Sequence, residues 1–470
     1  MGRRKLPAYT GIEVEDIALG GKALARKDDL VIFIEGAVPG DVVDVQVTRK
    51  KRNYQEARVT AYHAYSEKRT TPFCRHFGTC GGCKWQHLPY PEQLHYKEKQ
   101  VYDALERLGK LHIEQKHPIL GSEKTRFYRN KLEYTFSNHR WLNEEEIRQE
   151  TEFEHRNGLG FHVPGRFDRV VDVYECYLQE DPSNIIRNTL RDFALRENMS
   201  FYDHRTNEGL LRNLIIRTST LGEQMVILSV QYDEPVVYRM LEHLDREVPG
   251  ITSLMYTINP KKNETLYDLD IQTFRGRDHI VETLDGLTFK IGPKSFFQTN
   301  SYQALNLYRI AREFAGLSGT ETVYDLYTGT GTIANYMAPH ARHVIGIESV
   351  PEAIEDARVN AGLNNLDNTS FFAGDMKDLF TGEFIEANGP PDVLITDPPR
   401  AGMHPKVTER IIEAGPPRIV YVSCNPATQA RDAALLSEHY HIRQSQPVDM
   451  FPHTPHIENV LLLEHNNLEY

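Results

Sequence analysis

Four short stretches near the N-terminus alternate apolar with polar residues and end at turn signals, a pattern typical of β-strands. They are residues 11–17, 30–34, 41–47 and 56–62. The basic run Arg49-Lys50-Lys51-Arg52 falls in a connection between two of them. Several short strands with intervening turns predict a small β-barrel of the oligonucleotide-binding type, in a first domain at residues 1–65.

The next stretch, residues 66–290, shows both helical and strand-like patterns of apolar positions. A helical pattern at 91–108 is followed by strand-like segments at 128–137, 158–163, 211–219 and 224–231. Alternation within residues 214–218 suits an antiparallel sheet. These patterns predict a central α+β domain.

From residue 291 the sequence predicts strands that alternate with helices. The strand candidates are residues 322–326, 343–347, 369–372, 393–396 and 419–422. A last strand at 458–463 follows another β-like segment with no helix between them, which predicts a hairpin at the sheet edge. Residues 291–470 are therefore predicted to form an α/β domain with a doubly wound, Rossmann-like parallel sheet.

Composition adds limits on where the chain works and on its partners. A net charge of −12 over 470 residues argues against wholesale coating of nucleic acid. Residues 1–70 nevertheless hold 13 Lys/Arg against 10 Asp/Glu, which is compatible with an RNA-binding module on an acidic body. No run of 18 apolar residues is present, and no apolar stretch follows the basic residues 1–5, so we expect a cytoplasmic protein.

A glycine-rich turn marks a candidate nucleotide site. The segment Asp325-Leu326-Tyr327-Thr328-Gly329-Thr330-Gly331 follows a predicted strand and opens a helix, and glycines there let the backbone approach a ligand closely. Glu348 closes the next strand and could accept both ribose hydroxyls of a nucleotide. NAD and S-adenosylmethionine both satisfy this pattern, but Ala334 follows where a dinucleotide fingerprint has its third glycine.

Two further acids follow strands of the same sheet. Asp375 comes after the third strand, where it could reach an adenine amino group. Asp397-Pro398-Pro399-Arg400 ends the fourth strand. An acid followed by two prolines favours a methyltransferase over a dehydrogenase. Arg400 stands where amino-methyltransferases of nucleic acids carry an aromatic residue, which argues against methylation of an exocyclic amine.

Cys424 ends the fifth strand, at the carboxyl edge where ligands bind in such sheets. Carbon 5 of uracil is too weak a nucleophile to take a methyl group from a sulfonium, but a thiolate added to carbon 6 makes it an enolate that can. A base must then remove the proton from carbon 5, and Glu458 at the start of the final strand is the candidate. The plainer interpretation of Cys424 is a buried small side chain, and that of Glu458 is an exposed carboxylate at a strand end.

The other four cysteines suggest a metal site. Cys74, Cys80 and Cys83 form a C-x5-C-x2-C pattern, and distant Cys176 could complete four ligands. A tetrahedral zinc site is the default for four cysteines, and an iron–sulfur cluster is the competing interpretation.

Together these motifs resemble the RNA uracil-5-methyltransferase family, whose bacterial members modify 23S ribosomal RNA or tRNA. The matching segments, in the family's order, are residues 294–300 (KSFFQTN), 325–331, 397–400 (DPPR), 423–426 (SCNP), 449–454 (DMFPHT) and 456–458 (HIE). The N-terminal barrel resembles a TRAM domain, so the resemblance covers nearly the whole chain. Tyr327-Thr328 replaces the family's usual Phe-Cys, and an aromatic face is kept.

The resemblance implies roles for individual residues. It implies that Gln298, Tyr327, Glu348 and Asp397 contact S-adenosylmethionine, that Cys424 is the nucleophile and that Glu458 is the base. It also implies that Cys74, Cys80, Cys83 and Cys176 hold a 4Fe–4S cluster, in preference to zinc. The helix near 91–112 is then expected to pack with the catalytic domain.

The expected partner is RNA, and neither DNA nor a membrane; the expected oligomeric state is a monomer. A barrel combined with four cluster cysteines favours 23S ribosomal RNA, with tRNA as the alternative substrate of the same chemistry. A catalytically idle RNA-binding factor is the alternative from another class. Because the target base must leave its stack, residues 127–131 and 211–217, which interleave aromatic and basic side chains, are candidate RNA contacts.

Overall fold

The computed structural model describes residues 6–149, 152, 153 and 155–467. The basic residues 1–5, on which the expectation about targeting depends, lie outside that range. The described chain forms two compact units that do not follow chain order: the first holds Met1–Gly78, Cys83–Thr125 and Pro398–Tyr470, and the second holds Thr79–Gly82 and Arg126–Asp397. The domain boundaries at 65 and 290 stay a prediction.

The elements of the N-terminal quarter are mostly strands. They are β1 (Ala8–Glu13), β2 (Asp16–Ile17), β3 (Ala23–Lys27), β4 (Leu30–Glu35), β5 (Val42–Lys50), β6 (Tyr54–Ala64), α1 (Tyr90–Asp103) with a π-helical turn (Ala104–Leu108), and β7 (Ile113–Lys116).

The central elements alternate less regularly. They are β8 (Lys131–Ser137), α2 (Glu144–Arg148), β9 (Gly158–His162), β10 (Val170–Asp172), α3 (Ser183–Arg196), β11 (Leu211–Thr218), β12 (Gln224–Val230), α4 (Pro235–Glu247), β13 (Ser253–Ile258), β14 (Gln272–Gly276), β15 (Ile280–Leu284) and β16 (Leu287–Ile291).

Strands and helices alternate through most of the C-terminal part. Its elements are α5 (Ser301–Ala315), β17 (Thr322–Leu326), α6 (Thr332–Met337), β18 (His343–Glu348), α7 (Pro351–Leu363), β19 (Thr369–Ala373), α8 (Met376–Leu379), α9 (Gly382–Asn388), β20 (Val393–Thr396), α10 (Pro405–Ala414), β21 (Arg418–Ser423), α11 (Pro426–Leu436), β22 (Tyr440–Val448) and β23 (Glu458–His465).

The six N-terminal strands form one sheet in the order β1-β5-β6-β4-β3-β2. Its apolar side chains alternate inward as the sequence predicts and build a core that includes Ile32, Ile34, Val43 and Val45. The expected closed barrel is not found, because no pair of described strands joins β1 to β2. The two-residue length of β2 explains this, since so short a strand offers almost no ladder to a further partner.

In the first unit, β21 pairs with β23, β23 with β22 in an antiparallel hairpin, and β22 with β7 in parallel. The terminal hairpin is therefore present, but it is not the edge of this group of strands. The strand β7, from an early part of the chain, lies outside it. The helix α1 and the π-helical turn after it pack on α11 and reach the hairpin.

The second unit contains a seven-stranded sheet in the order β10-β9-β8-β11-β12-β13-β14. Its neighbours are antiparallel, as predicted, except for β12 and β13, which are parallel because α4 connects them as a crossover. The same unit holds four parallel strands in the order β19-β18-β17-β20, and β17 and β20 have the predicted bounds. Within the described residues, no helix combines the length and the apolar character needed to cross a bilayer.

Candidate active site

The glycine-rich turn between β17 and α6 adopts the backbone shape that its glycines permit. Tyr327, Gly329 and Gly331 all have positive φ angles, of 65°, 56° and 74°. A β-carbon at Gly331 would lie 2.7 Å from the β-carbon of Ala357, so only glycine fits there. A β-carbon at Gly329 would meet nothing within 4 Å, so the turn leaves open space on that side. This is the arrangement required for a ligand to lie against the backbone.

Glu348 faces this turn from the end of β18. Its Oε2 accepts a hydrogen bond from the Gly329 N–H at 3.2 Å, and its Oε1 accepts from the N–H groups of Ser349 and Val350 at 2.7 and 3.0 Å. Three backbone donors therefore fix the carboxylate of Glu348 at the strand end, beside the open side of the turn.

Two more acids lie at the ends of β17 and β20. Asp325 is buried; its Oδ2 accepts a 2.5 Å hydrogen bond from the Thr328 hydroxyl, and its Oδ1 makes no hydrogen bond within the described part of the chain. Burial, reinforced by the charges of Asp397 and Glu348, raises the pKa of Asp325 to about 7. Burial also raises the pKa of Asp397. The turn is thus lined by carboxyl groups that hold their protons more tightly than usual without a ligand.

Gln298 lies in a loop that is fastened to the same turn. The Thr330 hydroxyl donates to the Phe296 carbonyl at 3.1 Å, and the Asn130 side-chain amide donates to the Gln298 carbonyl at 2.8 Å. Asn130 also donates to the Ser301 hydroxyl at 2.9 Å, next to the Asn300 cap of α5. The backbone of Gln298 is therefore held rigidly, and its half-buried side chain is presented from a fixed loop.

Asp375 has a local structural role. It caps the short helix α8 by accepting from the Lys377 N–H at 3.2 Å, and its Oδ2 pairs with the Lys377 ammonium at 2.6 Å. The side chain is exposed. A ligand that used Asp375 would have to share it with Lys377.

In the first unit, Cys424 occupies the turn between β21 and α11. Asn425 caps α11 through the Ala427 N–H at 3.2 Å, and its own N–H donates to the Ser423 hydroxyl at 3.1 Å. The Asn425 side chain also donates to the Arg400 carbonyl at 2.9 Å, so the loop after Asp397 and the cysteine turn brace each other. Cys424 is half-buried within this hydrogen-bonded turn.

Glu458 begins β23, the strand that runs antiparallel beside β21. The ladder ends with Ser423, the residue before Cys424, paired with Asn459, the residue after Glu458. Only 4% of the Glu458 surface is exposed. Sequence reasoning placed both residues at strand ends, and the register shows that the two strand ends are neighbours.

A buried polar network holds the start of β23 in place. The Asn459 amide donates to the Gln429 side chain at 2.8 Å and accepts from the Ser445 hydroxyl at 3.1 Å. The Gln429 side chain in turn donates to the Tyr421 carbonyl at 2.9 Å. These bonds connect β21, α11, β22 and β23 around the two candidate catalytic residues.

The helix α1 secures the segment that leads to Glu458. Lys97, fully buried, pairs with buried Asp449 at 2.5 Å and donates to the Phe451 carbonyl at 3.0 Å. Burial lowers the pKa of Lys97, and the charge and hydrogen bond of Asp449 oppose that shift. Gln93 accepts from the His453 N–H at 2.8 Å. Sequence reasoning matched the 449–454 motif but gave its residues no role; the polar stripe Gln93, Lys97 and Gln100 on one helix face was the available signal.

The four cysteines outside the catalytic strands lie in two loops. Cys176, after β10, is buried, and the other three are half-buried. The Gly82 N–H donates to the Cys80 sulfur at 3.4 Å. Directly after Cys83, the N–H groups of Lys84 and Trp85 both donate to the His453 carbonyl, at 2.9 and 3.0 Å.

Two of the candidate RNA-contacting residues bind other parts of the protein instead. Arg212 and Arg217 are buried: Arg212 donates to the carbonyls of Asn259 and Asn263, and Arg217 donates to the Ser295 carbonyl at 2.7 Å. The expectation that they meet RNA is wrong, because their guanidinium groups hold loops together inside the fold. Phe127, by contrast, is partly exposed and lines an open pocket with residues 128–130.

Comparison with known proteins agrees with this geometry. The family model described as tRNA (Uracil-5-)-methyltransferase matches residues 274–466, and the TRAM domain model matches residues 9–60. An RNA methyltransferase of Bacteroides thetaiotaomicron is 58% identical over 452 residues, which cover 95% of this chain and 100% of that protein. One from Porphyromonas gingivalis is 56% identical over 97% of this chain and 100% of its own length.

Among solved structures, the tRNA (uracil-54, C5)-methyltransferase of Pyrococcus abyssi in complex with S-adenosyl-L-homocysteine is similar over 97% of this chain and 100% of its own. Its TM-score is 0.74 and its sequence identity is 29%. The fold is accordingly that of an α/β S-adenosylmethionine-dependent methyltransferase with an N-terminal TRAM domain, and the substrate is RNA. The chain belongs to the RNA uracil-5-methyltransferase family.

Proposed function

We propose that this enzyme methylates carbon 5 of a uridine in RNA, with Cys424 as the nucleophile and Glu458 as the base. The observation that carries the proposal is the β21–β23 register, which sets a half-buried cysteine and a buried glutamate at the same end of two adjacent strands. A thiol and a carboxyl group in that relation are the two groups that the chemistry needs.

The reaction runs in three steps at the uracil ring. The Cys424 thiolate adds to carbon 6, and the electron pair of the 5,6 double bond moves to form the enolate. Carbon 5 then takes the methyl group, which S-adenosylmethionine supplies as an electrophile. Glu458 removes the remaining proton from carbon 5, and the double bond re-forms as the carbon 6–sulfur bond breaks and the thiolate leaves.

The acidic turn in the second unit supports a cationic cofactor. We propose that Glu348 binds the ribose hydroxyls, that Gln298, Tyr327 and Asp397 hold the remainder of S-adenosylmethionine, and that Asp375 contributes at the adenine. Carboxyl groups whose pKa burial has raised gain most from a sulfonium, because a nearby positive charge restores their ionisation.

We also propose that Cys74, Cys80, Cys83 and Cys176 hold a 4Fe–4S cluster. Thiolates suit iron–sulfur clusters, and the Gly82 N–H that donates to the Cys80 sulfur is the kind of bond that stabilises a cluster ligand. Since the loop after Cys83 is bonded to His453, the cluster would act as a structural support for the 449–454 segment. Absorbance near about 400 nm and bound iron are the expected result, and bound zinc without that absorbance would overturn it.

We propose 23S ribosomal RNA as the substrate, on the combination of a TRAM domain with four cluster cysteines. Transfer RNA is the second candidate, favoured by the full-length similarity to the Pyrococcus abyssi enzyme, which acts on uracil 54 of tRNA. We further propose that the enzyme acts as a monomer in the cytoplasm.

The test incubates the purified enzyme with labelled S-adenosylmethionine and either an unmodified 23S transcript or an unmodified tRNA pool. We expect 5-methyluridine in the 23S transcript and none with Cys424→Ala. Ser437→Ala, at the far end of α11, is the control and should retain activity. If label appeared in tRNA alone, the substrate would be tRNA and the proposed chemistry would stand. Label with neither RNA, while S-adenosylmethionine still binds, would favour the idle RNA-binding factor.

A further inference from the structure

Two histidines and a glutamate from three separate segments of the second unit converge on one point. His162 ends β9, His204 lies in the turn before β11, and Glu264 lies in the loop between β13 and β14. Their ligand atoms all lie within 4.8 Å of one another. No local sequence motif connects these positions, so sequence reasoning could not find the cluster.

The distances between these atoms resemble those between ligands of one metal ion. The Nε2 of His204 is 3.2 Å from the Oε1 of Glu264, and the Nε2 of His162 is 3.9 Å from the same oxygen. Zinc bonds of about 2.0–2.1 Å in a tetrahedron separate neighbouring ligands by about 3.3 Å. The longer separation is beyond hydrogen-bonding distance, so hydrogen bonding alone does not explain why His162 points here.

The second nitrogen of each imidazole ring is enclosed by the protein. The Nδ1 atoms of His162 and His204 are buried and make no hydrogen bond within the residues that the structure describes. The two rings are nearly perpendicular, at 86°, with centroids 5.2 Å apart. Each ring therefore has Glu264 as its polar neighbour on the Nε2 side.

The cluster opens into a pocket of about 270 Å³, which gives access to an ion and to a water as fourth ligand. The other lining residues are Phe167, Tyr202, Asn207 and Lys262. Lys262 is the cationic member of the lining. The loop that carries Glu264 is rigid, because Arg212 binds its carbonyls at Asn259 and Asn263.

We propose that His162, His204 and Glu264 form a zinc site, separate from the catalytic residues and from the four cysteines. Imidazole nitrogens with one carboxylate are a ligand set that zinc accepts. The ion would fasten the end of β9, the turn before β11 and the loop after β13 to one another. It would thereby stabilise the central part of the enzyme without taking part in methyl transfer.

The test measures zinc affinity of the full-length protein by competition with a chromophoric chelator, with iron and zinc contents determined in parallel. We expect one zinc per chain, bound more than about 100-fold more weakly by Glu264→Gln and by His204→Ala, since loss of a direct ligand should exceed the effect of an outer-shell change. His63→Ala is the matched control: His63 pairs with Asp44 at 2.6 Å in the N-terminal sheet and is expected to change nothing.

Glu264→Gln keeps the size of the side chain and one acceptor oxygen, so it remains informative if His204→Ala does not fold. Zinc affinity that is unchanged in Glu264→Gln would overturn the proposal. Zinc that is retained in both variants and lost in Cys74→Ala would also overturn it, because the ion would then be held by the cysteines.

Discussion

The strands of the first unit that carry Cys424 and Glu458 and the glycine-rich turn of the second unit differ in how their buried polar groups are hydrogen-bonded. Around Cys424 and Glu458, the buried side chain of Asn459 bonds to those of Gln429 and Ser445 at 2.8 and 3.1 Å, and the Gln429 amide also donates to the Asn459 carbonyl at 3.2 Å. At the turn, Asp325 has a raised pKa and a buried oxygen that makes no hydrogen bond to any residue that the structure describes. The first arrangement fixes the positions of the two proposed catalytic groups, and the second leaves carboxyl oxygens available to a positively charged ligand.

The largest expected effect comes from Glu458, the proposed base. In Glu458→Gln, addition of Cys424 and methyl transfer remain possible, but the proton on carbon 5 has no acceptor. We expect turnover to fall by about 10²–10⁴-fold and a covalent protein–RNA adduct to accumulate. Denaturing gel electrophoresis with labelled RNA measures the adduct.

Glu464→Gln is the matched control for that experiment. It changes a second buried carboxylate on β23, one that lies near Arg418. This variant should turn over normally and trap no adduct. If Glu458→Gln turned over at the wild-type rate, another group would have to be the base.

The next effect concerns the rigidity of the first unit. In Lys97→Met, Asp449 is left as a buried charge without its cationic partner, which we expect to cost about 3–5 kcal/mol in the free energy of unfolding. Urea denaturation measures the loss. Lys99→Met is the control on the same helix, since Lys99 is partly exposed in its pairs with Asp16 and Asp103 and should contribute less than about 1 kcal/mol. Equal losses in the two variants would contradict this account.

This pair of lysines also shows how far the sequence could be interpreted. The strands β17 and β20 and the positions of Cys424 and Glu458 at strand ends were predictable, because local periodicity and turn residues determine them. The burial of Lys97 was not, because it depends on Asp449, 352 residues away. Likewise the expectation for Arg212 was wrong because its acceptors, apart from the Gln231 side chain, are backbone carbonyls, and the sequence does not show where backbone carbonyls lie.

The smallest effect is a pH dependence that arises from the turn. An aspartate with a folded-state pKa of about 7, above its usual value near 4, binds a proton more tightly in the folded than in the unfolded state. The contribution of Asp325 to the free energy of unfolding should therefore be fully present below about pH 4. It should decline as the pH rises towards 7, by at most about 1.4 kcal/mol per pH unit for this one carboxyl group. Thermal unfolding of the cofactor-free enzyme between pH 5 and pH 7.5 measures this slope.

Asp325→Asn removes the titrating group and keeps an acceptor for the Thr328 hydroxyl, so the slope should be shallower than in the wild type. Asp392→Asn, which changes an exposed carboxylate that accepts from the Thr322 N–H, should keep it. Saturating S-adenosylmethionine should also flatten the wild-type slope, because a cationic ligand lowers the pKa of nearby carboxyl groups. If the slope were unchanged in Asp325→Asn, the buried carboxyl groups of the turn would not need a ligand. The contrast between the two regions would then have no electrostatic basis.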